Sequence, residues 1–358
     1  MTTVSLAILA RNEEHSLPAT LASLLAQRWF AEAATHHDHL QLVVVANACT
    51  DRTALVAREQ LTRGAATLPP GVLTWRVEKL AEPGKPNAWN RFVHGFADPT
   101  ADYLVFMDAD IRLLHPDTLG NLLRLLRDHP EVEAATDRPV KSLTRKRWKS
   151  PIDWLSLGTA ELTRAAPGQL TGQLYALRAA FARRLWLPRS IVVEDGLIKA
   201  MAATACYTQP ANQTRIRCAD NASHEFVAYT QLGEVFRNQR RQQVSQTLQA
   251  ILREYLHANQ LPGEDAARVL AREYARDPDW FAAVVRDRIA TGGRWVIYPG
   301  ALAVRFRRLR NLSWPKRLLL FPVALAGFLF DLPVLLAANR LLKRGSLAGI
   351  WPDKAKHP

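Results

Sequence analysis

The fold is decided by residues 103–110, YLVFMDAD, an apolar run that ends in two carboxylates, Asp108 and Asp110. A short run rich in β-forming residues predicts a buried strand, and open α/β sheets bind ligands at the carboxyl ends of such strands. Because side chains alternate along a strand, we expect both carboxylates to point the same way. Neighbouring carboxylates repel unless a cation lies between them, and a hard divalent cation suits their oxygens. The alternative is a solvated strand-to-loop junction that carries two aspartates.

Three further strand–turn–helix units precede this stretch. Strands are predicted at Val4–Leu9, at Leu40–Val45 and in residues 74–80, TWRVEKL. Each is followed by a polar turn and a helical pattern, and Ser16 is a candidate N-cap for the first helix. Repeated units of this kind are typical of a parallel sheet covered by helices, whose carboxyl-end loops form one crevice. The polar residues expected in that crevice are Asn12, Glu13, Asn47, Asp51, Lys85, Asp108 and Asp110.

These motifs, in this order, resemble those of the family-2 inverting glycosyltransferases of the GT-A fold. The resemblance covers roughly the first two thirds of the chain. Its elements are Asn12-Glu13 after the first strand, Asn47 with Thr50-Asp51-Arg52-Thr53 after the second, the segment Gly84-Lys85-Pro86-Asn87-Ala88-Trp89-Asn90, the Asp108-Ala109-Asp110 motif, Thr171-Gly172 leading to Arg178, and the pair Glu194-Asp195. The implied fold is a Rossmann-type mixed α/β sheet flanked by helices, with a C-terminal helical extension.

The resemblance also implies site residues. Mg²⁺ or Mn²⁺ would be held by Asp108 and Asp110 against the diphosphate of a nucleotide-sugar donor. Asn47 and Asp51 would read the base, and Lys85 would approach the nucleotide. The full donor set predicted in this way is Asn12, Glu13, Asn47, Asp51, Lys85, Asn90, Asp108, Arg240 and Arg241, with Thr171 and Gly172 on the acceptor side. The alternatives are helix capping for Asn47 and Asp51, and a surface cation for Lys85.

The catalytic base is expected at Glu194-Asp195. This pair follows SIVV, residues 190–193, which we interpret as a short strand, and it precedes a helical segment. Inverting transfer needs one base to take the proton of the acceptor hydroxyl. By resemblance the base is Asp195, with Glu194 supporting it. The alternative is an acidic pair that merely favours a helix N-terminus.

One departure from the family concerns processive members, which carry Q-x-x-R-W on a helix near the membrane. Here Gln239 is present, but Gln242 and Gln243 stand where Arg and Trp would be. Arg240 and Arg241 suit diphosphate oxygens, although a solvated basic helix face is the alternative. Without the Trp, the sequence favours addition of one sugar per acceptor.

Charge is uneven along the chain. Residues 1–140 carry a net charge of −4 and the remainder +18, within a total of +14. No nucleic-acid module is visible, so an anionic membrane surface is the expected partner. Leu318–Ala338 is an apolar run with one charge, Asp331, between basic flanks. Because Pro322 and Pro333 should interrupt a helix, we expect an interfacial or re-entrant helical pair; a spanning helix and a buried hairpin remain the alternatives.

The sequence thus predicts a catalytic domain over residues 1–244, a helical extension over 245–300 and a basic membrane-associated segment over 301–358. The expected reaction is metal-dependent transfer of a sugar, with inversion, to a hydroxyl of a lipid or glycan acceptor. A nucleotidyltransferase and an inactive nucleotide-sugar-binding membrane scaffold are the alternatives. Three cysteines without a C-x-x-C pattern fit a reducing cytosol. The expected location is therefore the cytoplasmic face of the cell membrane.

Overall fold

The computed structural model describes residues 1–145, 168–228, 231–303, 306, 307, 309 and 313–345. Eight strands of these residues form one sheet in the order β3-β2-β1-β4-β7-β6-β8-β5. The strands are β1 (Thr3–Ala10), β2 (His39–Asn47), β3 (Leu73–Leu80), β4 (Tyr103–Asp108), β5 (Ile111–Leu113), β6 (Ala134–Lys141), β7 (Leu174–Arg178) and β8 (Ile216–Phe226). All four strands predicted from the sequence are confirmed.

The first half of the sheet, β3-β2-β1-β4, is parallel. Strands β1, β2 and β4 are buried on both faces, whereas most residues of the edge strand β3 are half-buried or exposed. In β1, Ala7 and Leu9 join one apolar core, and Leu6 and Ile8 join the other. Leu9 lies beside Asp108 in the register of β1 and β4. Such doubly buried strands are hydrophobic throughout, which is why they were recognisable from sequence.

The second half mixes directions. Strand β7 is antiparallel to both β4 and β6, β6 is parallel to β8, and β5 is antiparallel to β8. The antiparallel β7 brings Gln173 next to the end of β4, where the Asp108 N–H donates to the Gln173 carbonyl at 2.8 Å. The expected mixed α/β sheet of the GT-A type is confirmed.

The helices, numbered along the described residues, cover both faces of the sheet. They are α1 (Leu17–Leu25), α2 (Trp29–His36), α3 (Thr53–Ala65), α4 (Lys85–Arg91), α5 (Thr118–Asp128), α6 (Ala179–Ala182), α7 (Glu194–Ala203), α8 (Leu232–Asn259), α9 (Ala266–Arg276), α10 (Trp280–Thr291) and α11 (Trp314–Lys343). Ser16 stands at the N-cap of α1, but its hydroxyl donates to Glu13 and does not cap the helix.

One local prediction was wrong. The run at 190–193 is not a strand but an irregular turn that leads into α7, and among the described residues no strand pairs with it.

The predicted domain boundary between 244 and 245 falls inside α8, a single helix of 28 residues, and the division into domains stays a prediction. Val244 and Leu248 on this helix pack into the same core as Ala7 and Leu9. The spacing of buried apolar residues along α8 therefore continues on both sides of the predicted boundary.

The C-terminal apolar run forms one helix, α11, of 30 residues, and it continues through both Pro322 and Pro333. The prediction of a helical pair interrupted at the prolines is therefore wrong. A proline removes one backbone hydrogen bond and bends a helix, but it does not have to end it. Within the part of the chain that the structure describes, residues 320–343 are the one helical stretch long and apolar enough to cross a bilayer, judged by length and composition.

Candidate active site

The carboxyl ends of β1 and β2 are tied together by hydrogen bonds. Asn12, in a left-handed backbone conformation at φ 56°, accepts from the Thr50 N–H at 2.8 Å through its side-chain oxygen. The Glu13 N–H donates to the Thr53 hydroxyl, also at 2.8 Å. Asp51 accepts from the backbone N–H groups of Glu14 and Thr53. Partial burial would raise the pKa of Asp51, but these hydrogen bonds outweigh it and lower the pKa, so Asp51 is a stable anion.

The ammonium of Lys85 stands at the centre of the crevice. Its Nζ lies 2.8 Å from Asp108 Oδ1 and 2.8 Å from Glu194 Oε1, and it donates to the Gly172 carbonyl at 3.0 Å. Lys85 begins α4 directly after Gly84, whose backbone φ of 133° is accessible to glycine and strained for other residues. One side chain therefore joins three segments that are far apart in sequence.

The electrostatics around Lys85 keep it charged. Burial alone would lower the pKa of Lys85, but the carboxylates of Asp108 and Glu194 outweigh this effect and raise the pKa above its usual value. Below it, Tyr175 is fully buried and accepts from the Trp89 indole N–H at 3.2 Å. Burial, reinforced by the Glu194 carboxylate, raises the pKa of Tyr175 well above its usual value, so this phenol stays neutral.

Asp195, the predicted base, is partly exposed, whereas Glu194 is buried in the Lys85 ion pair. Both are the first residues of α7. Loss of hydration, then repulsion by Glu194, raises the pKa of Asp195 to about 6, and Lys85 and Arg241 oppose the rise. A carboxylate with a pKa near 6 is a stronger base than an ordinary aspartate and is still ionised at neutral pH. The pair thus divides into a structural carboxylate and a carboxylate suited to proton transfer.

Gly172 lies directly against this carboxylate. A Cβ placed on Gly172 would meet Asp195 Oδ2 at 2.5 Å and its Cγ at 2.9 Å, which is closer than real contacts allow. We expect Gly172→Ala to displace the Asp195 carboxylate and to lower kcat by about tenfold or more, because small misplacements of reacting groups are costly. Transfer kinetics and the thermal melting of the purified variant measure the two effects separately.

Gly95→Ala is the matched control for this prediction, since no atom lies within 4 Å of the Cβ that it would add. Equal kcat values for the two variants would contradict the close contact between Gly172 and Asp195. The other predicted acceptor-side residue, Thr171, is held from its backbone: its N–H donates to the Thr136 hydroxyl at 3.1 Å.

Two of the predicted donor residues are occupied elsewhere. The amide of Asn90 is buried and forms two hydrogen bonds with the Leu187 backbone, at 2.8 and 2.9 Å, and its contact with the donor stays a prediction. The amide of Asn47 is likewise buried and pairs with both backbone groups of Gly84. Asn47 therefore holds the turn that positions Lys85, and its contact with a base stays a prediction.

The metal-binding prediction rests on Asp108 and Asp110. Strand β4 ends at Asp108, and Asp110 lies in the following turn, so the alternation that predicted one shared direction does not extend to it. In the described ranges, no group of three or more His, Cys, Asp and Glu side chains is placed to hold a metal. A protein that offers two carboxylates fits Mg²⁺ or Mn²⁺ bound jointly with substrate phosphates, which is how such ions bind in phosphate-transfer sites. The donor set therefore fits the ion.

A buried polar cluster beside this site was missed from the sequence. His224 Nδ1 lies 2.8 Å from Asp137 Oδ2, both side chains are fully buried, and His224 Nε2 lies 3.2 Å from Gln173 Oε1. Because the carbonyl of Gln173 accepts from the Asp108 N–H, the cluster supports the end of β4. The one indication of this cluster in the sequence was a carboxylate, Asp137, directly after the short run AAT, residues 134–136.

Two arginines on α8 were predicted to contact the donor. The positive charge of Arg241 lowers the pKa of Asp195. Its Nε is buried and has no hydrogen-bond partner among the described residues. Arg240 is partly exposed on the same helix. Lys199, one turn after Asp195, also interacts with that carboxylate. The segment from Asp137 to Trp154 is one whose side chains would shape the sugar pocket, and its second half, residues 146–154, lies outside the described residues.

A mixed sheet with this strand order, whose parallel strands end in an acidic crevice, has the architecture of the GT-A class. The chain belongs to glycosyl transferase family 2, whose family model matches residues 5–185.

Among solved structures, the chain is similar to glucosyl-3-phosphoglycerate synthase from Mycobacterium tuberculosis, at 17% identity over 69% of this chain and 78% of that chain, with a TM-score of 0.44. The complex of that enzyme with Mn²⁺, uridine-diphosphate-glucose and phosphoglyceric acid matches at 17% identity over 65% and 74% of the two chains, with a TM-score of 0.42. The complex with Mg²⁺ and uridine-diphosphate matches at 18% identity over 69% and 77%, with a TM-score of 0.44.

Proposed function

We propose that this enzyme transfers a sugar from a nucleotide-diphosphate donor to an acceptor hydroxyl with inversion at the anomeric carbon. The observation that carries this proposal is the pairing of Asp195, whose pKa is about 6, with the Lys85-linked carboxylates of Asp108 and Glu194 in one crevice. The crevice combines a base with a site for a departing diphosphate. Both are required when a hydroxyl replaces a nucleotide at a sugar carbon.

Donor binding is assigned to the ends of β1, β2 and β4. Asp51 and the neighbouring backbone of Asn12 and Glu13 would hold the nucleoside, and the Lys85 ammonium faces the diphosphate. Asp108 and Asp110 would hold Mg²⁺ or Mn²⁺, which, when bound, offsets the charge that develops on the leaving diphosphate. The metal ion and Lys85 together then offset the electrostatic repulsion between the anionic donor and the carboxylates of the crevice.

Proton transfer is assigned to Asp195. As the acceptor hydroxyl attacks, its proton passes to the Asp195 carboxylate, the bond from the anomeric carbon to the donor oxygen breaks, and the nucleoside diphosphate leaves. Glu194 does not exchange protons in this scheme, because it is the buried partner of Lys85. Its role is to hold Lys85 and, by repulsion, to strengthen Asp195 as a base.

The acceptor class proposed is the hydroxyl of a lipid or glycan. The cations Arg241 and Lys199 both interact with Asp195, and we assign them to the acceptor side of the base. This arrangement suits an acceptor that carries negative charge near its hydroxyl, as a phosphorylated lipid headgroup does. Addition of one sugar per acceptor follows from the absence of an Arg-Trp pair after Gln239.

The direct test is a donor screen with purified protein and UDP-, GDP- and dTDP-sugars, with Mn²⁺ or with EDTA. Released nucleoside diphosphate is the readout. If nucleoside diphosphate is released from one donor and EDTA abolishes this release, the result supports the proposal and identifies the nucleotide. Release of pyrophosphate from nucleoside triphosphates would instead indicate a nucleotidyltransferase, and metal-independent binding without turnover would indicate a scaffold.

Asp108→Asn tests the metal role. We expect the Mn²⁺-dependent part of nucleotide diphosphate binding to fall by about tenfold or more, since one of two carboxylate ligands is lost and the remaining donors bind a hard cation weakly. Calorimetric titration with the matched nucleotide, with and without Mn²⁺, measures it. Asp117→Asn is the control, because that carboxylate is about as exposed but pairs with Arg28 away from the crevice. Equal Mn²⁺ dependence in the two variants would contradict the assignment.

A further inference from the structure

The two ends of α11 have different surroundings. Its C-terminal half is part of the protein core, with Val334, Leu335, Ala338 and Leu342 all buried. Asn339 fastens this half to the preceding loop: its side-chain oxygen accepts from the Val296 N–H at 2.8 Å, and its amide donates to the Arg294 carbonyl at 3.0 Å. This half is fixed relative to the catalytic domain.

The N-terminal half projects apolar side chains into the surroundings. Trp314 is 68% exposed, Leu318 is 59% exposed and Leu329 is 58% exposed. The other large exposed apolar side chains of this half are Leu320, Phe321, Leu325 and Phe330. At 100° per residue, five of these positions, 314, 318, 321, 325 and 329, fall within about 80° of one another and form one apolar stripe, and Leu320 and Phe330 widen the apolar surface beyond it. We call Leu318–Phe330 the apolar projection.

The apolar projection is too short to cross a bilayer. Its thirteen residues span about 20 Å of helix, whereas the hydrocarbon core is about 30 Å thick. The projection ends at Asp331. The carboxylate of Asp331 interacts electrostatically with Tyr298, and Tyr298 interacts in the same way with Arg307. Asp331 therefore stays with the protein, and because basic residues precede the projection at its other end, the projection fits a helix that lies along one leaflet with both ends near the headgroups.

The basic residues on both sides of the apolar projection indicate which kind of partner covers it. Residues 305–317 carry six basic side chains and no acidic one, and Arg340, Lys343 and Arg344 follow at the other end of α11. A second copy of the chain would place one basic segment against another at the cost of repulsion. An anionic bilayer surface offers phosphates to the basic side chains and hydrocarbon to the apolar ones.

We propose that this enzyme is a monotopic membrane protein, held on the surface of an anionic bilayer by insertion of the apolar projection into one leaflet, without crossing it. The buried half of α11 transmits this anchorage to α8, the helix that carries Arg241, because Tyr298, beside α11, bonds to Thr247 and Gln246 on α8. The crevice is then held near lipid headgroups on the same side of the bilayer as both ends of α11. The anchorage does not depend on the proposed transfer reaction.

Vesicle flotation tests the anchorage. Purified full-length protein is mixed with vesicles of phosphatidylcholine, with or without phosphatidylglycerol. We expect it to float with the phosphatidylglycerol-containing vesicles, and the double variant Leu318→Glu/Leu329→Glu to lose about a hundredfold in partitioning because two buried leucines are replaced by charges. Leu55→Glu/Leu261→Glu is the matched control: these leucines are 51% and 63% exposed, lie outside α11, and introduce the same charge change.

Equal partitioning of the two double variants would overturn the proposal, as would a wild-type protein that stays in the soluble fraction with both vesicle compositions. Nucleotide release from the donor in detergent solution, measured on the same variants, should be unchanged. Loss of flotation with retained donor turnover and loss of turnover with retained flotation therefore separate a failure of the anchor from a failure of the catalytic proposal.

A labelling experiment separates monotopic insertion from spanning. Ser313→Cys and Lys343→Cys are introduced singly, in a background without the native cysteines, at the two exposed ends of α11. In membranes of an expressing bacterial host, an impermeant maleimide should label both positions from the same face. Labelling of the two positions from opposite faces would show that α11 crosses the bilayer and would overturn the monotopic proposal.

Discussion

Replacing Asp195 by asparagine is expected to slow sugar transfer by about a hundredfold to ten-thousandfold, which is the contribution of a positioned general base. The amide is nearly isosteric with the carboxylate but cannot accept the hydroxyl proton. Nucleotide binding should remain, because Lys85 keeps its contacts with Asp108 and Glu194. Transfer kinetics at saturating donor, together with titration of the nucleotide diphosphate, measure the two properties.

The pH dependence of the wild-type enzyme provides a second measurement of the same role. Burial and Glu194 raise the pKa of Asp195 to about 6, and the base works only when deprotonated. The rate should therefore fall as the pH decreases below about 6 and should be level above it. In Asp195→Asn the residual activity should not show this acid limb.

Stability gives the control for this prediction. The raised pKa means that ionising Asp195 costs folding free energy as the pH rises through about 6, so removal of the charge should not lower the thermal midpoint at neutral pH. Asp287→Asn, the same substitution at an exposed site on α10, should change neither kinetics nor stability. Transfer by Asp195→Asn at the rate of the Asp287 variant would exclude Asp195 as the base.

The sheet and the crevice were predictable because they depend on local patterns. A strand buried on both faces has to be apolar throughout, so β1, β2 and β4 stand out in the sequence. Parallel connections place the ends of those strands at one edge, so Asn12, Asp51 and Asp108 were expected to meet. Helices α9 and α10 both lie within the helical extension predicted over residues 245–300.

Side-chain pairings were not predictable, because they join segments that are distant in the chain. Asn47 and Asn90 look like ligand-binding amides, yet each is saturated by one backbone segment, at Gly84 and Leu187 respectively. The pairing of His224 with Asp137 spans 87 positions and has no local signature. The second half of α11, which begins near Pro333, packs on α8, and the periodicity of one segment does not reveal this contact.

The role of Lys85 leads to the second large effect. Because its ammonium is 2.8 Å from both Asp108 and Glu194, Lys85→Met leaves two neighbouring carboxylates without their shared counterion. Removing one partner of a buried ion pair typically costs about 3 kcal/mol or more. We therefore expect Lys85→Met to lower the free energy of unfolding by about 3 kcal/mol at neutral pH and to abolish detectable transfer. Urea titration followed by tryptophan fluorescence measures the stability.

The loss of stability should itself depend on pH. Without Lys85, ionisation of the two neighbouring carboxylates works against folding, because like charges repel and burial removes their hydration. The destabilisation of Lys85→Met should consequently be small below about pH 3, where unperturbed carboxyls are largely protonated, and should grow as the pH rises. Lys79→Met, at an exposed lysine near the end of β3, is the control and should show neither the loss nor its pH dependence.

Combining Lys85→Met with Glu194→Gln separates stability from catalysis. The second substitution removes one of the two repelling carboxylates, so the double variant should recover a large part of the lost stability although each substitution alone destabilises the fold. Transfer should not return, since the cation that faces the donor diphosphate is still missing. A double variant less stable than Lys85→Met would contradict the shared ion pair. Recovery of both stability and transfer would mean that Lys85 only balances Glu194, and that the metal held by Asp108 and Asp110 offsets the charge on the leaving diphosphate without Lys85.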